Sequence, residues 1–208
     1  GFGGITGRVH LVATDNTFIR DMFVENTPAA STVKVHIAAE GVKQATPLKL
    51  ELRERGSNKV VWSRQEQMDG SEKTLTLSLP QAKLWSVEEP NLYELTAKLG
   101  NDELTQRFGF RWFEVRDVKG DRQFYLNGKR ITLITAISWS FWPDNGITPS
   151  RELAYKQVRD AKQLGMNMLN FHRTIGNTDV LNAADELGLL YFEEPGGNQY
   201  PANKFDDG

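Results

Sequence analysis

The side chains of this sequence best suited to chemistry lie between Trp139 and Glu194. Trp139 and Trp142 come first, then Asn170, His172 and Arg173, then the adjacent carboxylates Glu193 and Glu194. Indole rings offer flat apolar faces, and carboxamide, imidazole and guanidinium groups offer hydrogen bonds to oxygen-rich ligands. The two tryptophans read either as a stacking platform or as a loop that closes over the core. His172 and Arg173 read as donors to ligand hydroxyls or, for Arg173, as an ion-pair partner of Glu193 or Glu194. Two neighbouring carboxylates invite an acid and nucleophile pairing. Successive side chains on a strand point to opposite faces, however, so Glu193 and Glu194 cannot both face one substrate.

Each of these groups follows an apolar run that the spacing assigns to a strand. Residues 131–134 precede the aromatic loop 138–146, residues 166–171 precede His172, and residues 189–192 precede Glu193. Between them the spacing predicts two helices. One starts near Thr148-Pro149-Ser150, repeats Ala154, Val158, Ala161 and Leu164, and stops at Gly165. The other runs over 178–187, capped by Asn177 or Thr178 and stopped at Gly188. Strands alternating with helices predict a parallel sheet, whose reactive groups gather at the carboxyl ends of the strands. Upstream, Asn127-Gly128 between 124–126 and 131–134 is a hairpin signal.

The first half has a different period. Val33, Val35 and Ile37 alternate with polar residues, as do Leu48, Leu50 and Leu52, then Leu75, Leu77 and Leu79, then Tyr93, Leu95, Ala97 and Leu99. With 18–25, 60–65 and 104–110 these make about seven strands in about 100 residues, the pattern of an immunoglobulin-like antiparallel β-sandwich. His10 and His36 stand alone, and Trp62 and Trp85 offer faces that could stack on a sugar but read first as core or interface residues, so this half is expected to be a scaffold. The chain has 208 residues, 25 basic against 27 acidic, a formal net charge of −2 and no cysteine. That balance favours neither nucleic acid nor an anionic membrane, and it excludes disulfides and thiolate chemistry. No apolar run approaches the length of a membrane-spanning helix. No histidine pair has metal spacing, and Gly1-Phe2-Gly3-Gly4 and Gly196-Gly197 lack the strand and helix of a phosphate loop, so no cofactor or metal is expected.

Four motifs carry a family resemblance: Leu84-Trp85-Ser86-Val87-Glu88-Glu89-Pro90-Asn91-Leu92-Tyr93, Arg107-Phe108-Gly109-Phe110-Arg111, Phe124-Tyr125-Leu126-Asn127-Gly128-Lys129 and Asp185-Glu186-Leu187-Gly188-Leu189-Leu190. In this order and spacing they resemble family 2 of the glycoside hydrolases, which includes β-galactosidases, β-glucuronidases and β-mannosidases. The resemblance implies that 1–13 is the tail of a preceding jelly-roll domain or a linker. It implies an immunoglobulin-like sandwich over 14–116 and the first third of a truncated (β/α)8 TIM barrel over 117–208. It also implies retaining hydrolysis of a β-linked sugar by two glutamates at the fourth and seventh barrel strands, both outside this chain. No catalytic residue is therefore assigned here, and the piece alone is expected to be inactive.

Trp139, Trp142, Asn170, His172, Arg173 and Glu194 are the candidate sugar contacts. Asn170 stands where the family usually has arginine, Arg173 where many members have histidine, and Leu133-Ile134-Thr135 where a leucine–arginine–glycine run is usual. Glu194 matches the family's acidic residue at the third strand end. These departures keep a second expectation open, a non-catalytic β-sandwich interaction module with a degenerate barrel. Uncovered barrel edges are expected to pack against the sandwich or a second copy. The opening glycines, without an initiator methionine, read as the start of an excised piece. Any targeting segment is then expected upstream, leaving periplasmic and secreted settings open.

Overall fold

The computed structural model of the protein describes residues 5, 9–143 and 146–195. The chain divides into two compact units, one spanning Leu11–Ile131 and one built on the residues from Thr132 onward. Most of 1–13, and everything after Pro195, lies outside the described residues.

In the first unit β1 (Phe18–Asn26), β2 (Thr32–Glu40) and β5 (Glu72–Ser78) form one antiparallel sheet. β3 (Thr46–Glu54), β4 (Val60–Met68), β6 (Tyr93–Leu99) and β7 (Asp102–Phe108) form the other, in the order β4-β3-β6-β7. Inward residues of both sheets meet in one core: Val33, Val35, Ile37, Leu75 and Leu77 from the first, Leu48, Leu50, Leu52, Leu95 and Leu99 from the second. The period-two pattern thus does what it must when one face is buried and the other wet. In the immunoglobulin constant arrangement the fourth strand completes the sheet of the first, second and fifth. Here β4 instead pairs with β3, from Thr46 opposite Met68 to Arg53 opposite Val60.

The motif around Trp85 seals one end of this unit. Trp85 is fully buried, its backbone N–H donates to the Phe110 carbonyl, and the Arg111 guanidinium lies 4.3 Å from the indole ring centre. Gly109 is there because nothing larger fits: an added Cβ would lie 2.6 Å from Trp85 Cβ.

A small antiparallel sheet follows, of β8 (Phe113–Val118), β9 (Asp121–Leu126) and β10 (Lys129–Arg130). Its turns are Lys119-Gly120 and Asn127-Gly128, with all four residues at positive φ, as two-residue hairpins of this twist require. Asn127 does more than turn the chain. Its Oδ1 accepts the Trp112 N–H at 3.1 Å and its Nδ2 donates to the Trp85 carbonyl at 2.8 Å. The hairpin expected at Asn127-Gly128 is therefore present, but its second strand is short. Beyond Arg130 the Ile131 N–H bonds back to Phe124 O. β8 was not foreseen from sequence.

The second unit holds β11 (Thr135–Ser138), β12 (Met168–Phe171) and β13 (Leu190–Glu193), parallel and in sequence order. The first of these strands starts after the apolar run 131–134 rather than within it. Residue Asn167 explains the shift: its side chain accepts the Ile134 N–H and donates to Thr132 O, so these backbone groups are already committed. Between the strands run α1 (Arg151–Gln163) and α2 (Thr178–Leu187). Ser150 caps α1 by accepting the Leu153 N–H, and Asn177 caps α2 by accepting the Asp179 N–H. Gly165 and Gly188 take the left-handed conformation that ends each helix. Lys162 reaches from α1 to the Leu187 and Gly188 carbonyls, a cation at the negative end of α2.

Both helices pack on one face of the sheet, where Ala154, Val158, Val180 and Ala183 meet Leu169 and Phe171. Strand register puts Ile137, Asn170 and Phe192 in one row on the opposite face. Ile137 and Phe192 there are more than half exposed.

Candidate functional site

Alternation along the three strands decides which side chains share that open face at the carboxyl ends. Continuing the row beyond Ile137, Asn170 and Phe192 leads to Trp139, His172 and Glu194. Glu193 belongs to the helix-covered side. The two carboxylates accordingly part: Glu193 Oε1 accepts the Gly176 N–H ahead of α2, while Glu194 turns to the second strand end.

Glu194 gathers donors. Its Oε1 accepts Asn170 Nδ2–H at 3.1 Å, and Oε2 accepts the Arg173 backbone N–H at 3.0 Å and stands 3.3 Å from His172 Nδ1. The Arg173 amide, then the Asn170 side chain, hold its carboxyl below the ordinary glutamate range, against a smaller opposing effect of burial. The contact also sustains the left-handed backbone of Arg173, φ 57°, unusual for a residue with a side chain. Arg173 therefore meets Glu194 through its amide. Its guanidinium is exposed and has no ion-pair partner among the described residues.

His172 is held on three sides. Its backbone N–H donates to Ser138 O at 3.0 Å, Nδ1 faces Glu194, and the Trp139 ring meets it edge to face at 4.6 Å. Trp139 is 64% exposed, whereas Trp142 is 8% exposed and packs in the core beneath the helices. Trp142 also exchanges two backbone hydrogen bonds with Gly146, so it anchors the aromatic loop and offers little ring to a ligand. The structure thus brings Trp139, Asn170, His172, Arg173 and Glu194 together and leaves Trp142 below them.

One positioning group escaped the sequence reading. Ser138 is buried at the end of β11, and Gln157 on α1 donates to its Oγ at 2.9 Å. A polar Gln157 inside the apolar stripe of Ala154, Val158 and Ala161 was the available signal. Buried Asn170 Oδ1, Ser140 Oγ and Gln157 Oε1 find no donor among the described residues. Among the described residues no group of three or more His, Asp or Glu could hold a metal ion, and no helix is long and apolar enough to cross a membrane. What the cluster offers is an exposed ring edged by donors and acceptors, suited to a polyhydroxylated ligand.

The family model described as Glycosyl hydrolases family 2 matches residues 17–111. A β-galactosidase of Thermoanaerobacterium thermosulfurigenes is 29% identical over 97% of this chain and 30% of its own length. A protein described as a putative β-glucuronidase of Formosa agariphila is 35% identical over 56% of this chain and 14% of its own. Among solved structures, a family 2 member from Bacteroides cellulosilyticus superposes with a TM-score of 0.76 at 22% identity, covering 93% of this chain and 28% of that one. The apo β-glucuronidase 3 of Bacteroides uniformis gives 0.71 at 25% identity, covering 89% and 24%. The chain spans less than a third of each of these proteins. Nothing in them favours a non-catalytic module. The sandwich match and the relatives together lead to one conclusion: residues 17–111 match glycosyl hydrolase family 2, and the chain as a whole is similar to parts of β-galactosidases and β-glucuronidases.

Proposed function

We propose that the chain is the central part of a retaining β-glycosidase: an immunoglobulin-like sandwich followed by the opening strands of a (β/α)8 barrel. Its two catalytic glutamates are carried by barrel strands beyond the three seen here. The carrying observation is the open face of β11–β12–β13. Two successive crossovers place both helices on the same side, so the sheet winds in one direction and never reverses as a doubly wound sheet does. A singly wound sheet covers its inner face by closing into a barrel. Trp139, Asn170, His172, Arg173 and Glu194 stand where that barrel presents groups to substrate. Without closure, the exposed Ile137 and Phe192 and both sheet edges favour self-association.

The sugar is a β-galactoside or β-glucuronide class ligand, on the names of the relatives. The uncommitted Arg173 guanidinium is the cation available to a uronic acid carboxylate. The test is turnover of aryl β-galactosides and β-glucuronides by the full polypeptide that carries this chain, with the anomeric configuration of the first product read by NMR. Net retention is expected, and the 208-residue piece alone should be inert. Inversion, or activity in the isolated piece, would sink the reading, because either requires carboxylates arranged otherwise.

A further inference from the structure

Glu194 stands at the position from which a carboxylate would most simply bind a sugar hydroxyl, yet its partners come from its own chain. Asn170 Nδ2 and the Arg173 N–H donate to it, and His172 Nδ1 lies 3.3 Å away. Trading these partners for ligand hydroxyls would strand the part-buried Asn170 donor and release the Arg173 amide, which costs more than a new surface hydrogen bond returns.

The effect of the carboxylate falls on the imidazole. An ionised carboxylate can only accept, so the ring nitrogen turned toward it carries the proton. In the neutral ring a proton on Nδ1 leaves Nε2 a bare acceptor. The Trp139 ring packs against the imidazole edge to face, and the Ser138 carbonyl fixes the backbone beneath, so the ring has little freedom to turn. Trp139, Glu194 and Ser138 are the groups from β11, β13 and their ends that face His172.

We propose that Glu194 is a positioning residue that holds His172 in its Nδ1–H form, so that Nε2 accepts a hydrogen bond from a hydroxyl of a sugar lying against Trp139. The sugar in this statement rests on the glycosidase reading above; the ring state does not. The ligand class is a β-glycoside with a free hydroxyl at the rim of the ring that touches Trp139. His172 then discriminates against sugars deoxygenated or alkylated at that position, since its acceptor would be left unpaired.

The experiment has two arms. The chain has three histidines, His10, His36 and His172, so ring-nitrogen NMR of the 15N-histidine protein is assigned by one His172→Phe variant. The Nδ1–H form is expected in the wild type and in Glu194→Gln, whose amide oxygen still accepts, and is expected to be lost in Glu194→Ala. An Nε2–H ring in the wild type overturns the proposal.

The second arm uses the full polypeptide and the aryl glycoside it turns over. His172→Phe keeps the ring contact with Trp139 but has no acceptor, and kcat/KM should fall about tenfold, the value of one hydrogen bond. Glu194→Ala should fall as far, and Glu194→Gln should stay within about threefold of wild type. His172→Phe within about twofold of wild type overturns the sugar-facing role. If no glycoside is turned over, the glycosidase reading falls together with the sugar, and the ring state is decided by the first arm alone.

Discussion

Replacing Gly109 by alanine tests how tightly the sandwich is sealed around Trp85. The new Cβ would lie 2.6 Å from Trp85 Cβ, 3.0 Å from its Cγ and 3.2 Å from the Asn91 carbonyl oxygen. Carbon atoms pack at about 3.5–4.0 Å, so the approach is short by about 1 Å. Trp85 cannot yield cheaply, being fully buried, hydrogen-bonded to Phe110 and covered by Arg111. Overpacking of this kind costs about 1–3 kcal/mol, and a clash with an immobile neighbour belongs at the upper end. Removing a glycine stiffens the unfolded chain and returns about 0.4–1 kcal/mol, leaving a net loss of about 2 kcal/mol. Gly70→Ala supplies the control, because a Cβ there meets nothing within 4 Å and its φ is not in the left-handed region. That variant should be neutral or slightly stabilised. Gly120→Ala, in open space but at φ +86°, isolates the backbone strain and should lose about 1 kcal/mol. Urea denaturation followed by tryptophan fluorescence reads all three. If Gly109→Ala falls within about 0.5 kcal/mol of Gly70→Ala, the close approach to Trp85 is no constraint and the sealing account fails.

Two further outcomes are expected. The folded-state pKa of Glu194 lies below its ordinary value of 4.5, so the carboxylate stabilises the second unit above that pH and loses the contribution as pH falls through the lowered value. Acid titration followed at Trp139 and Trp142 should show a flatter loss of stability in Glu194→Gln; an unchanged acid limb would refute the contacts drawn for it. Ser150→Ala removes the acceptor for the Leu153 N–H and should cost about 1 kcal/mol in the same urea assay, with Ser150→Asn restoring it. No loss in the alanine variant would mean that α1 is capped some other way.

What could be read from sequence follows from where burial is one-sided. The strands β2, β3, β5 and β6 alternate because each has one face in the core, and the helices carried their own caps and glycine stops. β8 gave no such pattern, since Phe113 and Val115 are both about half exposed and its turn, Lys119-Gly120, lacks an asparagine or aspartate. The strand β11 was displaced by the apolar run before it. Ile134 is half exposed and held by Asn167, while the true strand ends on a buried serine. Side-chain partners at the site were further out of reach. Pairing Asn170 and Glu194 depends on register between strands separated by a whole helix, and the Arg173 amide, not its guanidinium, meets the carboxylate. Trp142 differs from Trp139 only in which side of the loop it falls on, which no local pattern states.

The turn at Asn127 also sets how the molecule ages. Asn-Gly is the dipeptide most prone to deamidation, because an unhindered glycine amide can attack the preceding carboxamide carbon to form a succinimide. In the folded state that carboxamide is tied at both ends, to the Trp112 amide and the Trp85 carbonyl, and the backbone is fixed in a left-handed turn. Ring closure would have to break both ties, so the native fold protects a sequence that its unfolded chain exposes. Loss of ammonia there would replace the Nδ2 donor by a carboxylate oxygen facing the Trp85 carbonyl, two acceptors in contact. Damage at this residue would therefore accumulate in molecules that have opened and then hinder their return, making Asn127 a slow chemical record of unfolding.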